Sequence, residues 1–168
     1  MKCILETERL RLKEFTPIDS EFIVELLNSP GWLQFIGDRN IKTEEQAKHY
    51  LENGPIKSYK ENGYGLWLVE KKADNTAIGM CGIIKRETLN HPDLGFAFLP
   101  AYNCNGYAFE ITSATMEYAK HQLNISKILA ITVPNNSKSI RLLEKIKLKF
   151  IQTIIFPTSQ EELLLYSN

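Results

Sequence analysis

Residues 100–110 read PAYNCNGYAFE and lie between an apolar stretch, DLGFAF, and a run, EITSATMEYAKHQL, whose apolar residues recur at helical spacing. The pattern predicts a strand that turns directly into a helix. The first turn of a helix has backbone N–H groups without intrahelical partners, and the helix dipole adds partial positive charge there. Together these make an anion site, suited above all to a phosphate. Gly106 permits positive φ or a close backbone approach, and Ala108 adds little bulk. Asn103, Cys104 and Asn105 offer further N–H groups, and asparagine tolerates the left-handed region. The same stretch also suits an ordinary strand-to-helix connection, and one glycine does not decide between the two.

The elements that position this loop follow from patterning. Leu5, Leu10 and Leu12 alternate with charges around Glu8, Arg9, Arg11 and Lys13, which predicts a half-exposed strand. Thr16, Pro17 and Asp19 open a helix that reaches about Leu27. SPGWLQFIG reads as a loop with large aromatic side chains, and Thr43 with Gln46 forms a capping-box pattern for a second helix toward Tyr59. YGLWLVE (64–70) and AIGMCGII (77–84) predict a hairpin across a polar turn, and DLGFAFL a further strand. After the loop a helix runs to about Leu123. KILAITV (127–133) predicts a buried strand, NNSKSIRLLEKI a short helix, and KFIQTIIF and EELLLYS closing strands. With no repeat or linker, residues 1–168 read as a single domain of mixed α/β (α+β) class. The first half of its sheet is expected to be largely antiparallel.

Composition narrows the function. The 168 residues are 43% hydrophobic and 24% charged, as in ordinary globular proteins. Twenty basic residues balance twenty acidic ones, so no global field favours nucleic acid or anionic lipid. Cys3, Cys81 and Cys104 and the three histidines His49, His91 and His121 are scattered without metal-site spacing. No metal is expected. The charged start MKCILETERLRLKEF has no apolar signal core, and no run is long enough to span a bilayer. A cytoplasmic protein without nucleic-acid or membrane partners, monomeric or homodimeric, is the expectation.

Four segments stand in a fixed order: LETERLRLKEFTPID, AIGMCGI, the loop, and VPNNSKSIRLLEKIKLKF. In this combination the chain resembles the GNAT acetyltransferases, closest to the branch containing the ribosomal-protein N-terminal acetyltransferases. The resemblance spans about Leu5 to Phe156. It implies a GNAT-type sheet whose strand before the loop parts from its neighbour. It also implies acetyl-CoA as co-substrate and a primary amine as acceptor, on a protein N-terminus or a small molecule. The family's loop pattern, (Gln or Arg)-x-x-Gly-x-(Gly or Ala), matches NCNGYA at Gly106 and Ala108. Asn103 replaces the usual first residue, and Cys104 stands where this branch often has glycine. The resemblance implies that N–H groups from Cys104 through Asn105, Gly106 and Tyr107 to Ala108 hold the diphosphate. It further implies that the pantetheine arm pairs with backbone around Phe98 and Leu99, where Pro100 suits a strand edge. Asn136 and Ser139 match the branch's Asn-x-x-Ser and would contact the arm or its thiol end; Asn136 equally suits a helix cap.

For the chemistry, Asp93 lies two residues before Gly95, where the branch commonly carries a glutamate acting as or supporting a general base. A solvated carboxylate at a strand start is the alternative. Many relatives protonate the thiolate with a tyrosine at the position of Leu143; here Ser139 is the candidate donor, or it simply bonds the cofactor or its own helix. Glu110 is expected to make structural contacts. Trp32, Phe35 and Trp67 line an acceptor pocket or fill the core. Lys147 replaces a glycine that ordinarily ends the late helix in the left-handed conformation. These departures leave a second reading open, a catalytically weak acyl-CoA-binding module.

Overall fold

A computed structural model describes residues 2–157 and 159–168. Strands β1 (Cys3–Glu6), β2 (Leu10–Lys13), β3 (Leu66–Lys71), β4 (Ala77–Ile84), β5 (Asp93–Phe98), β6 (Leu129–Thr132), β7 (Lys149–Ile155) and β8 (Glu162–Ser167) form one sheet. The helices are α1 (Ser20–Leu27), α2 (Pro30–Phe35), α3 (Glu44–Asn53), α4 (Pro55–Asn62), α5 (Tyr107–His121) and α6 (Ser137–Lys145). The strand order is β1-β2-β3-β4-β5-β6-β8-β7. Every neighbouring pair is antiparallel except β5 and β6.

Helices cover both faces of the sheet. Ile111, Thr115 and Ala119 of α5 are buried at successive four-residue steps, one stripe of a helix. Ile111 and Ala119 belong to a core with Leu10, Leu12, Trp67, Cys81 and Leu94. Cys81 Sγ lies 3.4 Å from Thr115 Oγ1 in that core. On the opposite face Ile23, Leu26, Trp32 and Leu51 from the early helices pack with Leu68, Met80 and Leu99. Alternation along β4 and β5 therefore feeds two cores at once, so both strands carry near-continuous apolar residues.

Three sequence expectations change. The single first strand is a hairpin, β1 with β2, because Thr7–Arg9 makes a turn tied by the Thr7 N–H donating to the Leu10 carbonyl at 2.9 Å. SPGWLQFIG contains α2: Pro30 occupies the first helical position, where its missing N–H costs nothing, and Trp32 is anchored in the core. The second helix is two helices, broken at Gly54 and Pro55. Its capping box is present, with the Gln46 N–H donating to Thr43 Oγ1 at 3.3 Å. Trp67 is core, edge-to-face with Tyr118 at 5.8 Å between ring centroids.

Lys147 takes the left-handed conformation expected of the glycine it replaces, with φ 69°. The Leu148 N–H bonds the Leu143 carbonyl at 3.0 Å and the Lys147 N–H bonds the Glu144 carbonyl at 2.9 Å, so α6 closes by a tight C-terminal turn despite the lysine. The β-carbon costs about 1–2 kcal/mol there, part of which glycine would give back through the unfolded chain. Lys147→Gly should raise stability by about 1 kcal/mol, read as a melting temperature higher by about 2–4 °C in a thermal scan.

Candidate active site

Strands β5 and β6 pair at one point, Asp93 with Leu129. Beyond it they separate, as the resemblance implies. The antiparallel register with β4 shows which backbone groups the separation leaves open. The Leu99 N–H donates to the Ile78 carbonyl at 2.9 Å, one step beyond the pairing of Phe98 with Gly79 and in line with it. Groups on an antiparallel strand alternate between neighbours, so those of Ala97 and Gly95 also face β4. The N–H and C=O groups of Phe96 and Phe98 point to the other edge, into the split. Leu99 is spent: its carbonyl accepts from the Tyr102 N–H at 3.0 Å. Of the two residues expected to meet an extended arm, Phe98 faces the split and Leu99 does not. Phe96 was not anticipated, although period-two alternation from Phe98 identifies it.

At the far end of β5 the chain makes a 3-10 turn, Pro100–Tyr102, and enters the loop. Cys104 has φ 64° and Gly106 φ 79°, both left-handed. That explains the branch's glycine at position 104, whose place a cysteine takes here at a cost of about 1–2 kcal/mol. The Asn103 N–H is used by the Pro100 carbonyl at 3.2 Å, and its own carbonyl accepts from Asn105 Nδ2 at 3.2 Å. Among the described residues, the N–H groups of Cys104 and of Gly106 to Phe109 make no hydrogen bond to the protein, while the Glu110 N–H closes the first helical turn on the Gly106 carbonyl. Residues 103–106 are exposed and Tyr107 and Ala108 half-buried, so these donors form an open nest at the start of a 15-residue helix.

A side chain from the β1–β2 turn braces that nest. Arg9 Nε donates to Glu110 Oε2 at 2.7 Å and Arg9 Nη1 to the Asn105 carbonyl at 3.1 Å. The Arg9 guanidinium sits 4.5 Å above the centre of the Tyr107 ring. Glu110 also accepts from the Arg9 N–H at 2.9 Å and from Thr7 Oγ1 at 2.6 Å. Burial raises the Glu110 pKa, but these bonds outweigh it and hold the carboxyl below its ordinary value. Glu110 is structural, as expected. Arg9 escaped sequence reasoning because its contacts lie 96–101 residues away.

Asp93 is not a solvated carboxylate. It is 1% exposed, at the point where the split begins, and accepts from Arg86 Nε at 2.9 Å. Burial pushes its pKa up and Arg86 only partly pulls it back. Asn136 caps α6, accepting from the Ser139 N–H at 3.1 Å. Ser139 is 9% exposed, and its hydroxyl is not among the buried polar atoms left without a partner. Among the described residues no hydrogen bond joins Ser139 and Asp93. Leu143 is core, 1% exposed. Glu70 is buried between Arg11 at 3.2 Å and Lys13 at 2.8 Å, an internal ion cluster away from the split.

An open depression of about 650 Å³ is lined by Arg39, Ile41, Thr43, His49 and Tyr50. Burial raises the Tyr50 pKa, and the charges of Arg39 and Arg86 oppose the shift. Trp32 lies in the core of that face; its indole N–H is buried without a partner among the described residues. Among the described residues no group of three or more His, Cys, Asp or Glu is placed to hold a metal ion. Among the described residues no helix is long and apolar enough to cross a membrane.

Comparison with known proteins agrees with this geometry. A family model described as "Acetyltransferase (GNAT) domain" matches residues 9–149. Over 156 residues the chain is 30% identical to YkkB, an uncharacterized protein of Bacillus subtilis, covering 91% of this chain and 89% of that one. It is 29% identical over 143 residues to the uncharacterized N-acetyltransferase YoaA of the same organism, covering 84% and 80%. The fold matches that of a ribosomal L7/L12 alpha-N-protein acetyltransferase in complex with coenzyme A, with a TM-score of 0.85 at 14% identity, covering 99% of this chain and 97% of that one. An open strand edge leading into an uncovered helix start, on a chain matched across these lengths, belongs to an acyltransferase of the GNAT family.

Proposed function

We propose that this acyltransferase uses acetyl-CoA and transfers the acetyl group to a primary amine, on a protein N-terminus or a small molecule, by direct attack on the thioester. The observation that carries the reading is the split itself, with the Phe96 and Phe98 backbone open along one wall and the nest of N–H groups at its end. The residues fit the donor. The nest takes the diphosphate and the strand edge pairs with the amides of the pantetheine arm. From Phe98 back to Asp93 is five strand steps, about 16 Å, so an extended arm carries its thioester toward the start of the split.

At that end the neutral amine attacks the thioester carbon, the C–S bond breaks, and the thiolate takes a proton. Holding the two reactants together supplies much of the acceleration. The Arg86-paired carboxylate of Asp93 accepts the proton of an incoming ammonium through an intervening water. Its raised pKa makes it a stronger base than an ordinary aspartate. The Ser139 hydroxyl donates to the thiolate and takes up in turn the proton that the attacking nitrogen releases as the amide forms. The depression beside Tyr50 receives the acceptor.

Thiol release with acetyl-CoA and a panel of peptides, polyamines and aminoglycosides tests the reading. Acceptor-dependent release supports it; binding of CoA without release across a broad panel contradicts it. Gly106→Val should weaken CoA binding at least about tenfold in calorimetry. A β-carbon meets only Arg9 Nη2 at 3.4 Å, so the loss comes from forcing a branched residue to φ 79°. Asp93→Asn should lower turnover by about two to four powers of ten while leaving CoA affinity nearly unchanged. In the wild type, activity falls as pH drops toward the raised Asp93 pKa, since only the carboxylate accepts a proton. The variant's deficit should shrink as pH rises toward the pKa of the acceptor, where more amine arrives neutral.

A further inference from the structure

The geometry points to Arg9 as the positioning residue that holds the diphosphate loop in its binding shape. This rests on the donor reading above. One side chain grips four neighbouring features: the Glu110 carboxylate at 2.7 Å, the Asn105 carbonyl at 3.1 Å, the Tyr107 ring at 4.5 Å, and the bare face of Gly106, with Nη2 3.4 Å from where a β-carbon would stand. The contact with Asn105 bears most directly on binding. In a trans peptide the carbonyl and the following N–H point in opposite directions. Arg9 draws the Asn105 carbonyl toward β2, and so turns the Gly106 N–H outward, away from the protein and toward the ligand side.

Charge alone does not account for the arrangement. Glu110 neutralises the guanidinium, and the Arg9 side chain is 44% exposed, a setting in which an ion pair contributes little stability. The fork shape matters instead. A lysine ammonium carries the same charge but lacks the planar set of donors that reaches Glu110 and Asn105 together. The loop also needs a brace, because both Cys104 and Gly106 sit in the left-handed region and Cys104 does so against its own preference.

Calorimetric affinities for CoA and for pantetheine, which lacks the diphosphate, separate positioning from general structural support. Arg9→Met should weaken CoA binding by about ten- to a hundredfold, the size of one or two lost charge-assisted hydrogen bonds, and change pantetheine binding by less than about twofold. Arg9→Lys should restore only a small part of the loss, and it serves as the test variant if Arg9→Met does not fold. Equal losses for both ligands, or an unchanged preference for CoA in either folded variant, would overturn the proposal alone. Wild-type protein with no preference for CoA over pantetheine would overturn the diphosphate reading, and this proposal with it.

Discussion

One residue pair, Asp93 with Leu129, joins two sheet segments that are otherwise internally well paired, β1 to β5 on one side and β6, β8 and β7 on the other. Everything functional follows from how early that pairing stops. Had it continued, the Phe96 and Phe98 amides would be satisfied by β6 and the molecule would be a closed sheet with no room for a ligand arm. Because it stops, half-buried backbone groups remain without protein partners, and a peptide-like ligand can complete the ladder. The same divergence carries β5 into the loop and β6 into the cap at Asn136, so the two walls of the split end in different donor sets.

The loop illustrates how backbone conformation and distant side chains share one task. Two left-handed residues, Cys104 and Gly106, flank Asn105 and turn the chain into the start of α5. That shape is intrinsically costly with cysteine at its first left-handed position. The β1–β2 turn offsets the cost from the other side, since Thr7 and Arg9 together supply three donors to Glu110. The hairpin that looks peripheral in the sheet is thus tied to the loop that opens α5. Asp93 shows a related economy: its burial at the start of the split, with Arg86 across the β4–β5 connection, sets its basicity by environment rather than by residue type.

Much of this was legible in the sequence, for identifiable reasons. The β3–β4 hairpin, β5, α5 and α6 have strong periodicity or clear turns, and each lies where the pattern puts it. The break at Gly54–Pro55 was signalled by the residues themselves, but the apolar spacing on either side masked it. Helix α2 was obscured because Pro30 and Gly31 read as loop residues; only burial of Trp32 makes the segment worth folding. The loop's outline followed from Gly106 and Ala108. Its brace did not, because no local signal connects Arg9 with Glu110 across 101 residues. Nor could exposure be read at Asp93, since an aspartate opening a strand is ordinarily solvated.

The central claim, that a donor arm completes the open edge of β5, is tested most directly by residue-resolved amide exchange with and without CoA. Binding should slow exchange at Phe96 and Phe98 and across Cys104 to Phe109. Ala97 and Leu99 should change little, because their N–H groups already face β4. Protection that ignores this alternation, or that leaves Phe96 and Phe98 untouched while CoA is bound, would contradict it.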